Sequence, residues 1–145
     1  MKLRAVLMGG ALAAAMTAAA SAGFTQPAPV DVDLDNGFAG GDQISARADD
    51  GEGVFIGCGS RTIQDGAGGV FKFGFCQAED ADGDRVTCFT QDAGLLDAMR
   101  STSDFAYITF SFQDDGNDGF ECTRVGHSTQ SFYLIDFTQL KSKDK

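Results

Sequence analysis

Residues Val70 to Thr90 read VFKFGFCQAEDADGDRVTCFT, two short apolar runs on either side of the acidic segment EDADGD. Phe71, Phe73 and Phe75 alternate with Lys72, Gly74 and Cys76, the period of two that a strand with one buried face requires. On the return, Thr87 and Phe89 alternate with Val86 and Cys88, and Asp82-Gly83 suits a tight turn. A hairpin centred near Asp82 sets Phe75 opposite Phe89 and Cys76 opposite Cys88. The phenylalanines are expected on the core face, with the two cysteines together on the other side. Directly opposite positions can leave Cα atoms too close or Cβ vectors poorly aimed, so Cys76 and Cys88 can each bridge to another strand instead.

Working outward, the chain opens with Lys2 and Arg4, an apolar run from Ala5 to Ala20, and Ala20-Ser21-Ala22 before Gly23. A basic start, a short apolar middle and an A-x-A site make residues 1–22 a secretory signal peptide. The run is short and alanine-rich for a membrane span, and no later stretch has the length for one. The expected location is therefore secreted or periplasmic, with the mature protein starting at Gly23. The mature chain has the size of one domain. Its four cysteines, Cys58, Cys76, Cys88 and Cys122, are an even number with no C-x-x-C pair, and the chain has one histidine, His127. In an oxidising compartment this favours two disulfides over zinc. Spacing does not choose among the three possible connectivities; Cys58–Cys76 with Cys88–Cys122 is the one we adopt as the expectation. The formal charge of -10 becomes -12 once Lys2 and Arg4 are removed. Such a charge repels nucleic acid and anionic membranes, and favours solubility and a cationic partner.

Residues 23–41, with Asp31, Asp33 and Asp35 alternating with Val32 and Leu34, read as an edge strand or a flexible lead-in, and Pro27 and Pro29 favour the lead-in at the start; residues 42–138 read as a single β-rich domain. Within it, Asp42 to Ala48 has alternation for a strand, and Asp49 to Gly53 for a turn. Val54 to Arg61 reads as a strand in which Gly57 and Gly59 flank Cys58, which implies a disulfide or an aromatic ring in close approach. Gln64 to Gly69 is a turn before the central hairpin. Asp92 to Arg100 is the one helical segment, with Asp92 as cap, Leu95, Leu96 and Met99 as apolar face and Arg100 at the C-terminal end. Phe105 to Gln113 alternates Ile108, Phe110 and Phe112 with Tyr107, Thr109 and Ser111; a turn through Asp114–Gly119 leads to Phe120–Val125. A last strand is expected over Gln130–Phe137, and residues 139–145 form a polar tail. About seven short strands joined by Gly/Asp turns predict a mainly β fold: a small antiparallel β-sandwich or barrel with one short helix, stapled by disulfides.

Asp82, Asp84, Asp114, Asp115 and Asp118 crowd two hairpin turns, and carboxylate-dense loops are where calcium finds oxygen ligands. Neither turn has EF-hand spacing. With Gly83 at the glycine position, the first ligand would be Ala78 and the last Phe89; with Gly119 there, the last would be Val125. Solubilising charge on ordinary turns is the favoured reading, so no cofactor is expected, with calcium the one candidate. His127 and Ser128 with Asp104 or Asp136 lack a nucleophile elbow or any supporting spacing. Paired carboxylates for sugar chemistry lack aromatic platforms, since the chain has no tryptophan and only Tyr107 and Tyr133. No catalytic residue is assigned, and the thirteen phenylalanines read as core.

In size, leader, cysteines and acidity the chain resembles small periplasmic inhibitor proteins, including those that block basic lysozymes; no motif is shared, so no residue role carries over. The expected function is non-catalytic binding of a cationic protein or surface polymer, with no nucleic acid and no membrane span. A structural or surface-associated secreted protein comes second and a small hydrolase third.

Overall fold

A computed structural model describes residues 24–50 and 53–134. The expected signal peptide and polar tail lie outside the described residues. Seven strands form one sheet: β1 (Asp31–Asp33), β2 (Phe38–Asp42), β3 (Phe55–Gln64), β4 (Val70–Glu79), β5 (Arg85–Thr90), β6 (Tyr107–Asp114) and β7 (Phe120–Ser128). Their order is β1-β2-β6-β7-β5-β4-β3. Every pairing is antiparallel except β5 with β7, which run parallel through Cys88–Phe120 and Phe89–Glu121. The mainly β expectation holds, but the sheet is mixed and is not closed into a barrel: β1 and β3 remain as its edges. It curls around its core instead. The Val32 amide on β1 donates to the Asp80 carboxylate in the β4–β5 turn at 3.1 Å, and α1 (Gln43–Ala48) and α2 (Ala93–Ser101) pack on β3 from the concave side.

Two disulfides staple this sheet in the expected pairing. Cys58–Cys76 joins edge strand β3 to β4, and Cys88–Cys122 joins β5 to β7 across the parallel seam. The second holds the weakest junction, because β5 and β7 share only two residue pairs.

The hairpin register is as the sequence predicts, Phe75 opposite Phe89 and Cys76 opposite Cys88. The face is not. Gly74, Cys76, Ala78, Val86, Cys88 and Thr90 point inward and are buried, whereas Phe71 and Phe89 are exposed and Phe73 and Phe75 half-buried on the convex side. Alternation establishes two faces but not which one meets the core. Here α2 selects the small-residue face, since a β-carbon at Gly74 would overlap the sulfur of Met99 and sit 3.1 Å from Cδ2 of Leu96. The large side chains of the core come from β6, where Ile108, Phe110 and Phe112 are buried as their alternation predicts.

Three further expectations give way. The lead-in reading of residues 23–41 gives way to its edge-strand alternative at residues 31–33, which form β1, and to β2 over 38–42, with Val30, Val32 and Ala39 in the core. Asp42 to Ala48 is not a strand. Asp42 ends β2 and caps α1, its carboxylate accepting from the Ser45 amide and hydroxyl, each at 2.6 Å, and from the Ala28 amide at 2.6 Å. An acid three residues ahead of Ser45 satisfies the free amides of a helix start, which outweighs a five-residue alternation. In place of the last strand, Ser131–Tyr133 forms a single 3-10 turn; residues 135–137 lie outside the described residues. Helix α2 matches its expectation, with Asp92 accepting from the Leu95 amide at 2.9 Å and Leu96 and Met99 buried.

Candidate functional site

The convex face of β3, β4 and β5 is built of cross-strand rows. Ile63 pairs Phe71, Arg61 pairs Phe73, and Gly59, Phe75 and Phe89 form one row across three strands. The glycine in that row has the role its sequence position predicts. The Phe75 ring lies over Gly59, so near that a β-carbon would stand 2.9 Å from Cζ. The Arg61 guanidinium lies over that ring, 4.9 Å from its centroid. Lower on the same face, Arg85 sits 5.3 Å from the Phe55 centroid and 3.5 Å from the Glu79 carboxylate. On β7, Arg124 stands 5.6 Å from the Phe38 centroid.

Beside these arginine-covered rings is a group with no such cover among the described residues. Phe73 contacts Phe71 at 5.5 Å and Phe89 at 6.1 Å between centroids. Phe71 is 47% exposed and Phe89 51%. With Phe120, which meets the buried Phe112 at 5.1 Å, they border an open groove of about 480 Å³. Asp115 and Glu121 supply carboxylates at its wall. The Glu121 side chain is exposed and makes no hydrogen bond or ion pair among the described residues. The groove thus combines a phenylalanine floor with negative charge. That arrangement can hold an apolar or cationic group. Sequence reasoning missed the groove because it assigned these same rings to the core.

The acidic turns have a different use from the one their charge implies. Three turns, residues 65–69, 80–84 and 115–119, share one solution. The first residue of each, Asp65, Asp80 or Asp115, accepts from the amides two and four residues on, at 2.6 to 3.1 Å. The fourth residue, Gly68, Gly83 or Asp118, has positive φ, of 91°, 88° and 61°. These carboxylates organise the chain reversal. Of the calcium candidates, Asp82 and Asp84 sit in the β4–β5 turn, Asp114 ends β6, and Asp115 and Asp118 lie in the β6–β7 turn. The fold does not gather them: no group of three or more His, Cys, Asp or Glu able to hold a metal forms among the described residues. Asp80, absent from the candidates, has the most structural work, joining its own turn to β1. Its D-x-x-G spacing, shared with Asp65, was the signal available in the sequence.

His127 is exposed on β7, and no hydrogen bond joins it to Ser128 or Asp104; Asp136 lies outside the described residues. Tyr107 instead stacks on Tyr133 at 4.9 Å, next to Phe132, which in turn meets Phe24. Burial, then Tyr107 and Asp42 nearby, raise the Tyr133 phenol above its usual value. Among the described residues no helix is long and apolar enough to cross a membrane, and the two disulfides indicate an oxidising compartment. No protein-family model, curated protein or solved structure shows significant similarity to the chain.

Proposed function

We propose that this protein is an exported, non-catalytic binding domain that takes a cationic protein, or a cationic surface polymer, on the convex face of β4 and β5. The observation that carries the reading is the half-exposure of Phe71 and Phe89, both in contact with Phe73, on the border of the groove. Rings of this size are normally withdrawn from water, and a contiguous exposed set marks a contact surface. Charge selects the partner: the -12 that remains when Lys2 and Arg4 are removed from the chain's -10 attracts cations over a Debye length of about 8–10 Å at ordinary ionic strength. Export rests on the leader pattern of residues 1–22 and on the two disulfides, which an oxidising compartment preserves.

The test is binding to immobilised basic proteins, lysozymes first, by the parent and by a Phe71→Ser/Phe89→Ser variant. The parent is expected to bind and to lose affinity steeply as salt rises. The variant, with charge intact, should lose at least tenfold. Equal binding by both proteins would remove the aromatic face from the account, and no binding to any cationic protein or polymer would remove the function.

A further inference from the structure

Of the described arginines, three lie over phenylalanine rings on the surface: Arg61 on Phe75, Arg85 on Phe55 and Arg124 on Phe38. A guanidinium suits this position because it is planar, delocalised and weakly hydrated, so its face stacks on a ring while its edges keep their hydrogen bonds. Arg85 has both kinds of partner, lying over the Phe55 ring and pairing with the Glu79 carboxylate. The groove repeats the receiving half of that arrangement without an arginine. Phe71, Phe73 and Phe89 provide the rings, and Glu121 and Asp115 the acids. One Asp115 oxygen already accepts from Asn117 and Gly119, which leaves its other oxygen and both of Glu121 for a donor.

We propose that the groove receives a guanidinium, an arginine side chain presented by the basic partner, stacked on the phenylalanines with its N–H edge toward Glu121. This deepens the binding reading above and rests on it. A volume of about 480 Å³ admits one long side chain with its flanking backbone, within the usual range of small-ligand pockets. Arginine is favoured over lysine because an ammonium is a strongly hydrated point charge that cannot stack while forking to a carboxylate.

The test uses the disulfide-intact protein and three acetylated, amidated peptides that differ at one central residue: arginine, lysine or citrulline. Citrulline keeps the shape and removes the charge. NMR titration should show the arginine peptide shifting the ring signals of Phe71, Phe73 and Phe89 and the side chain of Glu121. Lysine is expected to bind at least threefold more weakly and citrulline at least tenfold more weakly. Glu121→Gln, a surface change away from the core, should weaken the arginine peptide at least threefold while leaving the melting temperature unchanged. Equal affinity for the three peptides, or shifts that map elsewhere, would overturn the guanidinium site. If basic proteins still bound through Phe71 and Phe89 in that case, only this inference would fall; if they did not, the surface itself would be wrong.

Discussion

Gly74 on β4 lies directly beneath the sulfur of Met99 on α2, with no room between them for a β-carbon. This contact fixes which face of the hairpin is inside, and it makes the two faces respond differently to substitution. Gly74→Val should push α2 off the sheet and cost at least about 1–3 kcal/mol, the usual range for overpacking. Phe71→Ser, on the convex face, should cost about 1 kcal/mol or less, because an exposed ring has little burial to lose. Denaturant melts compare them directly. A larger loss at Phe71 would return the phenylalanines to the core.

The same contact explains what was legible in the sequence. Register was, because turn residues and the matched runs leave one alignment in which Phe75 meets Phe89 and Cys76 meets Cys88. The strand β6 was legible in phase as well as position, because Ile108, Phe110 and Phe112 alternate with residues that are mostly polar. Phase failed on β4, where phenylalanines oppose glycine, cysteine and alanine. Both faces are then apolar, and only the tertiary contact with Met99 decides between them. Asp42 to Ala48 failed for a local reason, the Asp42–Ser45 cap, and the groove was invisible because it depends on Phe120 of the parallel neighbour β7 and on Asp115 of the turn before it.

Asp80 should be the one acid of its turn that the fold needs. Its carboxylate accepts from Val32, Asp82 and Asp84 amides, and hydrogen bonds to a charged group contribute about 1.5–3 kcal/mol each before losses elsewhere are counted. Asp80→Ala is expected to destabilise by about 2–3 kcal/mol, and Asp82→Ala by about 0.5 kcal/mol or less. Calcium and chelator should leave the melting temperature of the parent alike, since no metal-holding group forms among the described residues. A calcium-dependent rise would require the acidic turns to be reconsidered.

The two disulfides close loops with sequence separations of 18 and 34. Chain-entropy reasoning assigns them about 3 and 4 kcal/mol. Replacing Cys88 and Cys122 by Ala should be the more damaging, because it also frees the two-pair β5–β7 seam. Equilibrium unfolding of the two double variants measures the order. Greater loss from the Cys58/Cys76 pair would show that edge strand β3, not the parallel junction, limits stability.

Tyr133 should report alkaline unfolding. Its pKa is raised, first by burial and then by Tyr107 and Asp42, so the folded state favours the neutral phenol. Its contribution is therefore complete below the unfolded tyrosine value of about 10 and is lost as pH climbs through the folded value. With Tyr107→Phe, Tyr133 is the only phenol left, and its phenolate absorbance should appear above that of free tyrosine. A midpoint at or below the free value would contradict the packing described around it.

Hydroxyl-radical footprinting read by mass spectrometry tests the central claim most directly, because it reports which phenylalanines face water and which become covered. In the free protein Phe71 and Phe89 should be oxidised and Phe110 and Phe112 protected. With a bound basic protein, protection should appear at Phe71 and Phe89 while exposed Phe105 stays reactive. Protection of Phe71 and Phe89 in the free protein would contradict the face assignment, and unchanged reactivity on complex formation would contradict the binding surface.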